Sequence, residues 1–219
     1  MHPLHLRVAK NTRLNIVCLG SHSDDIEIGC GGLLLRLIGA GSVRVIDWVV
    51  FSAQGPREQE ARRSADLFLT GAPKARVTVK QFRDGFFPFQ GAAIKEVFEE
   101  LKRTTAPHLV LTHYRDDRHQ DHRVLSDLAW NTFRDHWILE YEIPKYDGDL
   151  GVPNCYLPLD RRTCERKIKL LQTAFGTQRD KHWFSDETFR GLMRLRGMEC
   201  RAPAGFAEAF YSRKTVLAV

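Results

Sequence analysis

A single-domain α/β fold, with a mostly parallel sheet covered by helices on both faces, is predicted by three features of this 219-residue sequence. Short apolar runs alternate with longer amphipathic stretches. Two of the apolar runs end abruptly in polar loops. With 43% of its residues hydrophobic, the chain can bury one sizeable core. Strand and helix at this cadence imply right-handed crossovers and therefore a Rossmann-like sheet. One domain is expected over 1–219, with its core in 14–142 and with 143–219 completing the pocket and the sheet.

The first strand is read in Leu14–Leu19, which stops at Gly20-Ser21. Gly31–Ile38 is apolar nearly all round and reads as a buried helix closed by Gly39-Ala-Gly41. Ser42–Phe51 is rich in β-branched residues and makes the second strand. Pro56 then opens an amphipathic helix over Arg57–Leu69. Arg76–Phe82 alternates as a third strand, and Asp84-Gly85 marks the turn after it. The aromatic cluster Phe86-Phe-Pro-Phe89 is either plain core or a pocket wall. Ala92–Lys102 carries Ile94, Val97, Phe98 and Leu101 on one helical side, and Pro107 introduces a fourth strand, His108–Thr112. A helix over Arg123–Phe133 and a strand over Trp137–Tyr141 follow.

Further on, 144–159 is rich in glycine and proline, with a short strand around Cys155–Leu157. Asp160 is a fair N-cap for a helix running through Ile168, Leu170 and Leu171. Residues 176–184, with His182 and Trp183, form a surface loop or reach the pocket rim. Ser185-Asp-Glu opens a last helix that Gly197 closes, and Ala207–Leu217 reads as a terminal strand.

Composition narrows the function classes. The formal charge is +6, with a pI near 9.2, yet the basic residues are dispersed rather than gathered into an aromatic-studded tract, so no nucleic-acid partner is expected. Met1–Asn11 has no continuous apolar run of signal-peptide type, and no stretch is long and apolar enough to cross a bilayer; a soluble, cytoplasmic protein is the expectation. The five cysteines show no paired spacing for a disulfide framework or a thiolate zinc site, and Cys18 and Cys30 read as small core residues.

Chemistry is concentrated in two loops. Just after the first strand come His22, Asp24, Asp25 and Glu27. In an open parallel sheet the carboxyl ends of strands are where ligands bind. Consecutive loop residues point in different directions, so one aspartate of the pair can hold a metal while its neighbour faces water as a general base. The plain alternative is a solvated turn in which Asp24 or Asp25 caps the next helix. The second loop, after the fourth strand, is His113-Tyr-Arg-Asp-Asp-Arg-His119-Gln-Asp121-His122. Two parallel strands ending on one side of a sheet would bring His22 and His122 together. His108, His113, His136 and His182 read as ordinary packed or surface histidines.

The segment His22-Ser-Asp-Asp-Ile-Glu-Ile-Gly-Cys-Gly-Gly32 resembles the His-Pro-Asp-Asp-Glu-x-x-Gly-x-Gly-Gly signature of the PIG-L/LmbE-like family of metal-dependent de-N-acetylases, and His119-Gln-Asp121-His122 resembles that family's His-Pro-Asp-His. Arg57 with Glu60, Phe82-Arg-Asp84-Gly85, Thr177-Gln178 and Ala207-Glu208-Ala-Phe210 are further echoes. Ser23 and Gln120 replace prolines, and Ile26 stands where glutamate is common, with Glu27 one place later.

The resemblance implies a zinc-dependent hydrolase that removes an N-acetyl group from an amino sugar or glycoconjugate. His22, Asp25 and His122 would be the metal ligands, and Asp24 the general base acting on water at the metal. His119, charged, would stabilise the oxyanion, with Asp121 favouring that charge and fixing the ring. Arg57 and Asp84 would bind substrate. Two imidazoles and one carboxylate leave a coordination position free, as a catalytic site requires, and the same set also suits Fe2+ or another divalent ion. Alternatives are an amidase acting on a non-sugar amide and a metal- or sugar-binding protein without turnover; assembly into a homo-oligomer is left open.

Overall fold

A computed structural model describes residues 12–216; the N-terminal stretch considered above as a leader, and Leu217 at the end of the expected last strand, lie outside them. Seven strands, β1 (Leu14–Gly20), β2 (Val43–Val50), β3 (Ala75–Val79), β4 (Leu109–His113), β5 (Trp137–Tyr141), β6 (Cys155–Leu159) and β7 (Phe206–Tyr211), form one sheet. Their order is β3-β2-β1-β4-β5-β7-β6. The first five run parallel, and β7 lies antiparallel to both β5 and β6. The connecting helices are α1 (Asp25–Gly39), α2 (Pro56–Phe68), α3 (Gly91–Thr104), α4 (Gln120–Thr132), α5 (Arg161–Ala174) and α6 (Asp186–Glu199).

The central strands are apolar throughout because both faces of the sheet are covered. Alternate side chains enter two separate cores. Ile16, Cys18, Ile46, Trp48, Leu109 and Leu111 face α1, α2, α5 and α6. Val17, Leu19, Val49, Val110 and Ile138 face α3 and α4. The chain builds outward from β1 to β2 and β3, then returns through α3 to place β4 on the other side of β1. That reversal is a topological switch point, and it opens a crevice at the carboxyl ends of β1 and β4.

Helix α1 starts at Asp25 rather than at the expected Gly31, so the acidic loop residues sit in its first turn and the glycine run lies inside it. A Cβ on Gly29 would come within 2.1 Å of the Tyr141 ring, so only glycine lets the helix approach β5 this closely. The helix is broken at Cys30, whose φ is −141° and ψ 17°. A break of this kind strands backbone donors and acceptors in the core. Glu208 on β7 accepts the N–H groups of Gly32 (2.6 Å) and Leu33 (2.7 Å), and Lys167 on α5 donates to Ile28 O (2.6 Å) and to Glu208 (2.7 Å).

Other boundaries also differ from the sequence reading, and strand β3, expected to run to Phe82, ends at Val79. Helix α4 begins at Gln120 instead of Arg123, because the His119 ring takes the Asp121 N–H at 3.3 Å and serves as the cap. Gly197 does not close α6 but lies inside it, where a Cβ would press on Gly205 O at 2.3 Å. Strand β7 ends at Tyr211, after which Ser212 donates to Asn154 Oδ1 (2.8 Å) and Arg213 turns to Glu140 (2.6 Å), drawing the chain off the ladder. No helix among the described residues is long and apolar enough to cross a membrane.

Glu208→Ala would leave the Lys167 ammonium buried without its partner, so it is expected to cost about 3–5 kcal/mol, read by urea denaturation; a loss below about 1 kcal/mol would show that the clamp is dispensable. Asp160 accepts the Thr163 N–H at 2.7 Å as the N-cap of α5. That hydrogen bond holds its carboxyl below the ordinary range. Asp160→Ala should therefore cost about 1 kcal/mol at neutral pH. The contribution is complete above the unfolded pKa of about 3.9 and is lost as the pH falls toward the lower folded value, so the gap between the two proteins should narrow on acidification.

Candidate active site

The loop after β1 and the loop leading from β4 into α4 meet over the switch point. His22 and His122, 100 residues apart in sequence, bring Nδ1 of one to 3.2 Å from Nε2 of the other. Asp25 lies between them, with Oδ2 3.5 Å from His22 Nδ1 and Oδ1 3.6 Å from His122 Nε2. Four-coordinate ligands at about 2.0–2.2 Å from a common ion stand about 3.3–3.5 Å from one another, so the two nitrogens are spaced as a divalent cation would space them, while each imidazole faces a different oxygen of Asp25. Among the described residues, three overlapping groups have ligand atoms within 4.8 Å of one another: His22, His119 and His122; Asp25, His113 and His122; and His22, Asp84 and Asp121.

Each of the three central groups is held from behind. His122 Nδ1 meets Asp117 Oδ2 at 2.9 Å, and Lys145 reaches the same oxygen at 3.1 Å. His22 Nε2 faces Asp121 Oδ2 at 3.3 Å and Asp84 Oδ1 at 3.1 Å. Asp25 Oδ2 accepts the His22 N–H at 2.6 Å and lies 3.2 Å from His113 Nε2. Carboxylates behind imidazoles of this kind fix the ring and raise its basicity toward a metal.

The charges respond to this crowding. Burial works against a charge on His22, but Asp25, Asp121 and Asp84 hold its pKa well above the ordinary value. Burial, reinforced by His113, pushes His122 down to about 3. Burial would raise Asp25, yet His122, His113 and His22 overcome it and hold the carboxyl well below its usual range. The donor set is thus a neutral imidazole, a carboxylate and an imidazole surrounded by acids. Such a set fits a bound divalent cation, which would replace the proton on His22.

Asp24 sits beside this set in a different environment. One oxygen is 3.0 Å from Arg57 Nη2, and the other is buried without a hydrogen-bond partner. Burial raises its pKa, against the opposing field of Arg57. Neither Asp24 nor Asp25 caps α1 through its side chain: Asp24 makes no cap hydrogen bond, and Asp25 turns back onto His22 N–H. Arg57 also binds Glu60 (2.9 Å), which accepts the Thr177 N–H (2.7 Å). The segment after α5 is docked to α2 in this way.

The groups open into a cavity of about 610 Å³ whose wall includes Asp24, His119, Arg57, Asp84, Lys145 and Trp183. Of the two readings of 176–184, the pocket rim is the one observed, through Gln178, Lys181 and Trp183. Phe87 is buried in the core, whereas Phe86 and Phe89 are exposed outside the cavity wall.

Some relationships depart from the sequence reading. Asp121 is expected there to fix His119, but its carboxylate instead meets His22 and the N–H groups of Gly85 (2.7 Å) and Phe87 (3.1 Å). Burial and the neighbouring His22 lower the pKa of His119, so the charged ring expected for it is disfavoured. Asp117 and Lys145 do not stand out in the sequence as site residues. Asp117 lies two residues before His119, and a carboxylate so close to a metal-type histidine is the available signal. His113, read as ordinary packing, is fully buried against Asp25.

The fold and this histidine–carboxylate centre define a switch-point α/β protein with a site suited to a divalent cation. Residues 17–133, more than half of the chain, match the model of the PIG-L family, GlcNAc-PI de-N-acetylase, and the chain belongs to that family. Among solved structures, the conserved protein TT1542 from Thermus thermophilus superposes with a TM-score of 0.74 at 22% identity, over 94% of this chain and 97% of that one. N,N'-diacetylchitobiose deacetylase from Pyrococcus horikoshii gives 0.68 at 19% identity, over 90% and 82%. GalB, the 4-carboxy-2-hydroxymuconate hydratase from Pseudomonas putida, gives 0.71 at 17%, over 94% and 98%. These likenesses show a shared fold.

Proposed function

We propose that this protein is a divalent-metal-dependent N-deacetylase that hydrolyses the acetamide of an N-acetylated amino sugar or glycoconjugate. The family supports this reading, as does a fold shared with a diacetylchitobiose deacetylase. The observation that carries it is the approach of His22 Nδ1 and His122 Nε2 to 3.2 Å, with one oxygen of the Asp25 carboxylate 3.5 Å from the first and the other oxygen 3.6 Å from the second, beside a cavity of sugar size. His22, Asp25 and His122 would hold the ion, with zinc the first choice and Fe2+ sharing the same donors. When bound, such an ion polarises a carbonyl and brings the pKa of water down to about 7.

The chain's own groups supply the rest. Asp24, with a free oxygen and a raised pKa, is placed to take a proton from the attacking water and return it to the departing amine. His119 accepts the Asp121 N–H through Nδ1, so its neutral ring carries the proton on Nε2. That N–H can donate to the oxygen that becomes negative as the acetamide carbon turns tetrahedral, without the ring being charged. Asp121 acts through His22. Arg57 steadies Asp24 and, with Asp84, lines the substrate's side of the cavity. We assign the whole of 1–219 to one catalytic domain, in which the residues after 142 complete the pocket and the sheet.

Zinc-loaded protein is expected to release acetate from N-acetylglucosamine-type substrates and not from a non-sugar amide; no acetate from any N-acetylated sugar would sink the reading. Asp24→Asn should keep its metal, by elemental analysis, and lose about 10²–10⁴ in kcat. His122→Ala should lose the metal. Equal metal loss in both variants would undo this division of roles.

A further inference from the structure

Gln178 is only 5% exposed, yet it borders the cavity beside Arg57 and Trp183. It ends the short turn Gly176–Gln178 that follows α5, where its N–H donates to Phe175 O at 3.2 Å and its carbonyl accepts the Lys181 N–H at 3.0 Å. Its backbone is thereby fixed.

A carboxamide has a donor end and an acceptor end, and its neighbours decide which way it turns. Glu60, ion-paired with Arg57 at 2.9 Å, can only accept. It takes the Thr177 N–H at 2.7 Å on one oxygen and the Thr177 hydroxyl at 2.7 Å on the other. The single hydroxyl proton is thus committed to Glu60. Thr177 Oγ1 remains as an acceptor, and it receives Gln178 Nε2 at 3.0 Å and Arg57 Nη1 at 3.4 Å. Turned round, the carboxamide would set its oxygen against an oxygen with no proton to offer. Gln178 Oε1 has no hydrogen-bond partner among the described residues and is not sealed from solvent. The space it borders is the cavity.

We infer that Gln178 is a specificity-determining residue: its Oε1 accepts a hydroxyl of the sugar, in an orientation that Glu60 imposes through Thr177. Arg57 meets Asp24 through Nη2 and Thr177 through Nη1, so Gln178 stands on the far side of the guanidinium from the proposed base. The acetamide has to reach Asp24, and the donor that meets Gln178 therefore belongs to the sugar ring. A site built to pair a substrate hydroxyl discriminates strongly against an analogue that lacks it, because its own polar group is left unpaired. The inference rests on the deacetylase reading above.

The test pairs substrate and protein changes. Among the 3-, 4- and 6-deoxy analogues of N-acetylglucosamine, one is expected to lose about tenfold or more in kcat/KM with zinc-loaded wild-type protein. Gln178→Met, which fills the same space without the acceptor, should lose about as much on the parent sugar and lose nothing further on that analogue. Three analogues equal to the parent, additive losses, or wild-type kcat/KM in the Met variant overturn the inference. Thr177→Val, which removes the oxygen that orients the carboxamide, should keep only part of the discrimination; full discrimination there overturns the imposed orientation. Zinc affinity should be unaltered in both variants, since neither touches a metal-site residue. If the Met variant does not fold, the deoxy series on wild-type protein and on Thr177→Val decides. Calorimetry with N-acetylglucosamine and the metal-free full chain separates this contact from the deacetylase reading. No acetate release, with sugar binding about tenfold weaker in the Met variant, defeats that reading and leaves the contact standing. Normal turnover by the Met variant does the reverse, and a wild-type protein that neither binds nor hydrolyses the sugar defeats both.

Discussion

Residues a hundred positions apart share one site only because β1 and β4 are neighbours in the sheet. Their register pairs Ile16 with Leu109, Val17 with Val110 and Cys18 with Leu111, so both strands reach the same edge together. The pairing is enforced by burial. Ile16 through Leu19 and Val110 and Leu111 are inaccessible to solvent, and a one-residue slip would exchange the two core faces of either strand. The polar loops that follow therefore emerge side by side, and the dispositions of His22 and His122 are consequences of packing far beneath them.

The same burial makes the centre expensive to assemble. Asp25, Asp117, Asp121 and His122 are all buried, and a buried charge without a partner costs several kcal/mol. The fold meets this by giving each group an opposite number from another element. Asp121, in α4, faces His22 in the loop after β1, and Lys145, in the loop after β5, reaches Asp117 below α4. Those pairings also restrict the rings and carboxylates to one arrangement, so preorganisation comes from the contacts that make burial tolerable. The break in α1 is handled in the same way, by Lys167 and Glu208.

Much of this was legible in the chain itself. Burial on both faces of the sheet gives uninterrupted apolar runs, which is why β1, β2, β4 and β5 could be located from residue type alone. Helix starts were harder to read. Asp25 looks like a loop residue by propensity, and what makes it helical is tertiary, a glycine face packed on Tyr141; the start of α4 is set locally, but by an imidazole cap, which residue type does not signal. The motif histidines and aspartates stood out because they clustered at strand ends. Their partners did not. Lys145 lies in a loop rich in glycine and proline with no local signal, and the geometry that turns Asp121 toward His22 depends on the Gly85 and Phe87 amides, which no spacing in the sequence connects to α4.

Asp24 and Asp25 show how far environment, rather than identity, sets chemistry here. They are adjacent in the chain and chemically the same, yet the surrounding imidazoles hold Asp25 below the usual carboxylate range while burial lifts Asp24 against the fields of Arg57 and His22. Two carboxylates whose affinities for a proton are driven apart in this way can divide labour, one remaining an anion and the other exchanging protons. The division depends on chain direction at the start of α1. Asp24 is the residue just before the helix and Asp25 the first within it, so their side chains leave the backbone toward different neighbours, Arg57 of α2 for one and the histidines of β4 and α4 for the other. A helix beginning at Gly31, as propensity alone suggests, would leave both aspartates in one irregular loop with no fixed reason to differ.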